Sequence, residues 1–105
     1  MGPIKGVLKE ELFNSLRMKR GYERELALLP KGSLVKKKIK GHHYYYLVVR
    51  RNGRVVFLYK GKASRKEIDK YKGIKQSRAL YRNLLSQVNR QIKFLRKSLR
   101  GKESV

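Results

Sequence analysis

The sequence predicts an α+β protein with an N-terminal helix, a three-stranded antiparallel β-meander and a long C-terminal helix. Apolar residues recur at helical spacing on both sides of a central segment, and that segment is rich in Val, Ile, Tyr and Phe. Glycine-containing turn signals divide the central segment into three parts. A chain of 105 residues is expected to form a single domain over residues 1–105.

The N-terminal helical segment is predicted over residues 4–29. Leu8, Leu12 and Leu16 recur every four residues and begin an apolar stripe that continues toward residue 29. The pattern fits one helix, or two helices that meet near Gly21. Pro30 ends the segment, because proline cannot continue helical hydrogen bonding.

The meander is predicted over residues 33–61, with strands Leu34–Lys40, His43–Arg51 and Arg54–Lys60. Asn52-Gly53 is a strong signal for a two-residue hairpin turn, since both central positions of such a turn need positive φ. Gly41-His42 fits a turn with glycine first between the other two strands.

Alternation along the strands sorts the side chains of the meander onto two faces. The face predicted to be the core side has Lys37 and Arg50 as its charges and collects Val35, Ile39, Tyr44, Tyr46, Val48, Val55, Phe57 and Tyr59. The opposite, basic face collects Lys36, Lys38, Lys40, His43, Tyr45, Arg51, Arg54 and Lys60 around Leu34, Leu47, Val49, Val56 and Leu58.

The C-terminal helix is predicted over residues 65–100. Ser64 and Glu67 have the spacing of a capping box, and Gly101 follows basic residues at the expected end. Gly73 is a candidate position for a kink or a division.

An apolar stripe runs along residues 74–99 of this helix and consists of Ile74, Tyr81, Leu84, Leu85, Val88, Ile92, Leu95 and Leu99. It can pack on the aromatic face of the sheet, on the N-terminal helix, or on a second copy of the chain as a coiled-coil homodimer. The basic residues beside the stripe either contact phosphates or form a solvated outer face.

The charge is the strongest functional signal. Lys and Arg total 29 against 7 Asp and Glu, a net charge of +22. Residues 26–66 and 70–102 contain no acid. Such an extended cationic surface indicates a polyanion partner. We therefore expect a protein that binds double-stranded DNA through the basic face of its sheet, and the expected contact residues are Lys36, Lys38, Lys40, His43, Tyr45, Arg51, Arg54, Lys60 and Lys62.

Two other functions fit the same features. An RNA-binding or ribosome-associated protein would use the same charge, and an oligomerisation or scaffold protein would use the stripe of the long helix. We expect a cytoplasmic protein, associated with the nucleoid or the ribosome, because the chain has no Cys and its N-terminus lacks the apolar stretch of a signal peptide. A membrane partner is not expected, since no apolar run approaches the length of a membrane span.

Enzymatic activity, cofactors and bound metal are not expected. The chain has no Cys, and its two His residues, His42 and His43, are neighbours whose side chains diverge on a strand. Glu67 and Asp69 are two residues apart on a helix and point away from each other. No nucleophile elbow or phosphate-binding glycine loop is present.

Three consecutive tyrosines in the second strand are typical of surfaces that stack unpaired bases. Alternation separates them, however. Tyr44 and Tyr46 lie on the predicted core side, where core packing is their expected role, and Tyr45 alone shares the basic face.

The motifs of the meander resemble those of known proteins over about a third of the chain. The stretch from Gly41 through Tyr44-Tyr45-Tyr46, then Asn52-Gly53-Arg54 and Tyr59-Lys60-Gly61-Lys62, resembles small uncharacterised basic microbial proteins with a G-x-x-YYY and Y-x-G-K pattern. It is also similar to the three-stranded N-terminal arm-binding domains of tyrosine recombinases, which insert a sheet into the major groove. The resemblance implies docking by the sheet, on Tyr45, Arg51, Arg54 and Lys60.

Overall fold

A three-stranded sheet lies between two helices along the chain in the computed structural model of the protein. The structure describes the backbone of residues 3–103 and the side chains of residues 4–101. The elements in order are α1 (Pro3–Leu28), β1 (Ser33–Ile39), β2 (His42–Arg51), β3 (Arg54–Gly61) and α2 (Arg65–Glu103). The predicted α+β arrangement is confirmed.

The chain divides into two compact units, and α2 contributes to both. The helical unit combines α1 with the part of α2 from Ala79 onward. The sheet unit spans Leu29–Arg78 and therefore contains all three strands and the first turns of α2.

The core of the helical unit lies between α1 and α2. Tyr22 and Tyr81 make a ring contact with centroids 6.3 Å apart. Ser15 of α1 is 1% exposed, so this small polar side chain is also part of the interior. The buried apolar residues of α2 in this unit are Val88, Ile92, Leu95 and Leu99. Part of the predicted stripe of the long helix is thus buried within the chain, while Tyr81, Leu84 and Leu85 are partly buried.

Both helices run through internal glycines without a break. α1 is one helix that continues through Gly21, and α2 is undivided at Gly73. The predicted end near Arg100 is wrong, because α2 continues to Glu103. Gly101 adopts a helical backbone and not the left-handed conformation that ends many helices.

We expect Gly73→Ala to stabilise the protein by about 0.5–1 kcal/mol, because alanine loses less backbone entropy than glycine in a helix. A Cβ atom at this position meets nothing within 4 Å. Gly53→Ala is the matched contrast and should destabilise, since Gly53 has φ of 77°. Urea unfolding monitored by circular dichroism measures both changes, and a destabilised Gly73→Ala variant would contradict this view of α2.

Of the two hydrogen bonds predicted for the capping box at the start of α2, the one accepted by Ser64 is formed. The backbone N–H of Glu67 donates to the hydroxyl oxygen of Ser64 at 3.1 Å. The Glu67 carboxylate, instead of completing the capping box, accepts a hydrogen bond of 2.6 Å from Nζ of Lys60 in β3. This ion pair connects the last strand to the start of the helix.

The sheet is an antiparallel meander in the order β1-β2-β3. The second turn is Asn52-Gly53, as predicted, with φ of 51° and 77°. The predicted Gly41-His42 turn is wrong: the turn is Lys40-Gly41, with φ of 51° and 82°. Both turns therefore have positive φ at both central residues and glycine second, which suits the twist of a two-residue hairpin.

This correction removes Lys40 from the strand but leaves the two predicted faces of the sheet intact. Moving the turn by one residue changes the pairing partner of each β1 residue by two, so that Val35 pairs with Tyr46 and Ile39 with His42. A shift of two keeps every side chain on its face, because side chains alternate with a period of two.

The prediction of which face is the core side is wrong. Val55 and Phe57 are 53% and 51% exposed, whereas Val56 and Leu58 on the other face are partly buried. α2 lies on that other face: an open cleft of about 430 Å³ is lined by Leu34 and Tyr45 from the sheet and by Ile68 and Tyr71 from α2, among others.

Arg78 of α2 is hydrogen-bonded to the segment that precedes β1. Its Nη2 donates hydrogen bonds to the backbone oxygens of Pro30 at 2.9 Å and Gly32 at 3.3 Å. Aliphatic residues therefore form the covered face of the sheet unit. The aromatic face is the more open one: Ile39, Val55, Phe57 and Tyr59 are exposed, and Tyr44 and Tyr46 are partly buried.

Candidate nucleic-acid interface

Most of the predicted contact residues share the face of the sheet that α2 partly covers. The observed register places Lys36 opposite Tyr45, Lys38 opposite His43, and Arg51 opposite Arg54. Lys36 and Tyr45 line the cleft beside α2. The two ends of the sheet carry exposed residues: Lys38 and His43 at one end, and Arg51 and Arg54 at the other. The helix thus leaves the ends of this face free for a partner.

Lys60 is the predicted contact residue for which the described part of the chain shows an ion pair, with Glu67. A β-bulge places it as an extra residue in β3, since Tyr45 pairs with Gly61 and Tyr46 with Tyr59. Its hydrogen bond to Glu67, and then the negative charge of that carboxylate, raise the pKa of Lys60. Lys60 thus stays protonated but is already paired with a carboxylate, which makes it a weaker phosphate ligand than an unpaired lysine.

The hairpin tip, defined as Arg51–Arg54, presents two arginines on one face. Arg51 and Arg54 are directly opposite each other, on either side of the Asn52-Gly53 turn, and both are exposed. Like charges in this position repel by a few tenths of a kcal/mol, up to about 1 kcal/mol. A bound phosphate would relieve this repulsion and could accept hydrogen bonds from both guanidinium groups.

The opposite end of the sheet carries a second exposed basic group. Lys38 and His43 are paired across β1 and β2, and Lys40 lies in the connecting turn. Lys62 follows β3 and is also exposed. His43 and Arg51 are eight residues apart along β2, which corresponds to about 26 Å at about 3.3 Å per residue. The two ends of the sheet therefore carry separate basic groups.

The open aromatic face of the sheet is a feature that the sequence interpretation assigned to the core. Tyr59 is 63% exposed, and its ring lies 5.4 Å from Tyr46 and 6.3 Å from Tyr44 between centroids. The Nζ atom of Lys37 lies 4.6 Å from the centroid of Phe57 and 5.1 Å from that of Tyr46. The YYY run combined with Phe57 and Tyr59 was the available signal for this cluster.

Among residues 4–101, whose side chains the structure describes, there is no group of three His, Asp or Glu side chains that could hold a metal ion. Glu67 and Asp69 are instead used in ion pairs, with Lys60 and with Arg65.

Within the described part of the chain, neither α1 nor α2 contains a stretch that is both apolar enough and long enough to cross a membrane.

Comparison with known families matches residues 9–70, which is more than half of the chain, and the chain belongs to the family described as "Domain of unknown function (DUF6788)". The matched segment contains most of α1, the whole sheet and the first turns of α2. No curated protein and no solved structure gives a significant match.

Proposed function

We propose that this member of the DUF6788 family is a non-enzymatic protein that binds double-stranded DNA, with phosphate contacts from its sheet unit providing most of the affinity. The observation that carries the proposal is the acid-free tract of residues 26–66, which contains twelve Lys and Arg residues and includes the entire sheet. Charge of one sign over a whole sheet attracts a polyanion and steers its approach.

Few of these cations are neutralised inside the protein. Among the described residues of the sheet unit, carboxylate partners are found for Lys60 and Arg65 alone. The other exposed lysines and arginines of the sheet have no carboxylate partner among the described residues. Binding to DNA would release the condensed counterions that phosphates hold, and this release is the usual source of sequence-independent affinity.

A two-stranded ribbon of this sheet has dimensions that suit duplex DNA. Neighbouring strands are about 4.8 Å apart, and the B-DNA major groove is about 12 Å wide. In such a mode the hairpin tip would enter first, with Arg51 and Arg54 meeting phosphates or guanine edges. The resemblance to the arm-binding domains of tyrosine recombinases supports docking by the sheet.

We expect the double variant Arg51→Ala and Arg54→Ala to weaken duplex binding. The negative slope of log K against log salt should become shallower by about 1 for each lost phosphate contact. Fluorescence anisotropy with a labelled duplex measures both quantities. The fold should be retained, because the substitutions remove a repulsive pair of exposed residues.

The control is Arg20→Ala with Arg24→Ala, which removes the same charge from exposed positions of α1. If the two double variants lose equal affinity, the hairpin tip has no special role and net charge alone explains binding. If the tip variant binds duplex DNA as tightly as the parent protein, the contact surface lies elsewhere.

The alternative partners can be separated with the same assay. The deep, narrow major groove of duplex RNA does not admit a β-ribbon, so an RNA duplex of equal length should bind without dependence on the hairpin tip. The scaffold alternative has less support, because the C-terminal half of the stripe it would need, Val88, Ile92, Leu95 and Leu99, is buried in the helical unit. A DNA-binding role would associate the protein with the nucleoid.

A further inference from the structure

The open aromatic face of the sheet is costly for a protein to display in water. On this face Phe57 is 51% exposed and Tyr59 63% exposed. Val55 and Ile39, on the same face, are 53% and 43% exposed. Contiguous exposed apolar patches on small proteins are usually binding sites. Phe57 has no polar group, so its exposed ring gains nothing from contact with water.

The rings form a connected cluster and not a scatter of single residues. His42 and Tyr44 have centroids 6.5 Å apart, Tyr44 and Tyr59 6.3 Å, and Tyr46 and Tyr59 5.4 Å. These residues and Phe57 alternate along β2 and β3, so the strands hold them on one side of the sheet. Several faces and edges are therefore offered together on a rigid support.

The charge around the rings identifies the chemistry of the occupant. The Lys37 ammonium group lies within 5.1 Å of the centroids of Tyr46 and Phe57. Arg50 shares this face and is exposed. No acid occurs from residue 26 to residue 66. The surface thus suits a ligand that combines flat π systems with negative charge.

We propose that the aromatic face is a second nucleic-acid site, which takes single-stranded nucleic acid by stacking unpaired bases on Phe57 and Tyr59 while Lys37 and Arg50 meet its phosphates. Bases in a duplex are stacked on their own neighbours and cannot offer a face to a protein ring. Single strands can, and aromatic side chains on small sheets bind them in this way.

This inference goes beyond the proposed duplex binding, since it uses a different face, a different ligand and different residues. The cations of the hairpin tip do not depend on base faces. The stacking rings, in contrast, contribute nothing to a ligand without accessible bases. The two proposals can therefore fail independently.

The test compares two double variants of the full chain. Phe57→Ala with Tyr59→Ala removes two exposed rings, and Val55→Ala with Ile39→Ala removes two exposed aliphatic residues from the same face. Anisotropy is measured with a labelled oligothymidylate, with an abasic oligomer of the same length, and with a duplex. Thermal melting by circular dichroism confirms that both variants fold, as their exposure predicts.

The aromatic double variant should bind oligothymidylate about 5-fold to 150-fold more weakly for each base that loses its stacking partner. The aliphatic variant should bind within about 2-fold of the parent protein, because it keeps the rings. The parent protein should prefer oligothymidylate to the abasic oligomer, and the aromatic double variant should lose this preference. Duplex affinity should be unchanged in both variants.

Three results would overturn the inference. Equal binding of the abasic oligomer by the parent protein would show that phosphates alone are recognised. Equal losses in the two double variants would remove the special role of the rings. Self-association of the parent protein in sedimentation, abolished in the aromatic variant, would identify the face as an interface between copies. If the protein does not bind the duplex but still binds oligothymidylate, the proposed function is contradicted and this inference is retained.

Discussion

The affinity of the protein for duplex DNA should fall about 10³- to 10⁵-fold when the salt concentration rises from about 50 to about 200 mM. This range corresponds to roughly six to ten phosphate contacts, each of which lowers log K by about 0.9 per tenfold increase in salt. The exposed basic residues of the basic face and the adjoining turns can supply six contacts, and they are Lys36, Lys38, Lys40, Arg51, Arg54 and Lys62.

The measurement is a series of anisotropy titrations with two unrelated duplexes in the potassium salt of one anion. Because the chain has a net charge of +22, salt also relieves its self-repulsion and can stabilise the fold. Circular dichroism at each salt concentration is therefore the control. An affinity that does not change with salt would contradict binding through phosphates.

The second large effect concerns the stability of the helical unit. Leu95→Ala should lower the free energy of unfolding by about 2–5 kcal/mol, because it removes a buried side chain and leaves a cavity. Leu95 is 5% exposed in the core between α1 and α2. Urea unfolding monitored by far-ultraviolet circular dichroism gives the value.

The neighbouring residue provides the matched control. Phe94 is 66% exposed on the same helix, and Phe94→Ala should change stability by less than about 0.5 kcal/mol. Equal losses at the two positions, or a larger loss at Phe94, would contradict the observed orientation of α2. Such a result would also mean that the apolar stripe of the long helix is accessible to a partner.

Element types and limits followed closely from local patterns. Apolar spacing located α1 and α2, and β-branched and aromatic residues with two glycine turns located the three strands. The misplaced turn at Lys40-Gly41 is instructive. It has the same form as Asn52-Gly53, with glycine second, but a Lys with φ of 51° is unusual and gives no turn signal in the sequence.

Side-chain alternation placed residues correctly on two faces but could not tell which face would be covered. The aromatic face has more ring surface and fewer charges, so it was the expected core. The other face has an aliphatic centre with its charges toward the ends, and α2 packs there. The choice of face depends on where the chain turns after Gly61. The alternation of residues within the strands carries no information about that turn.

The chain's residue pattern was enough to establish its helices and strands, its cationic character and the partition of strand residues between two faces. These properties depend on local backbone preferences and on composition. Which face stays open, and therefore whether Phe57 and Tyr59 are core or surface, followed from long-range packing of α2, capped at Ser64 and held by Arg78. Burial is a property of what lies opposite a side chain, and that neighbour comes from a distant part of the sequence.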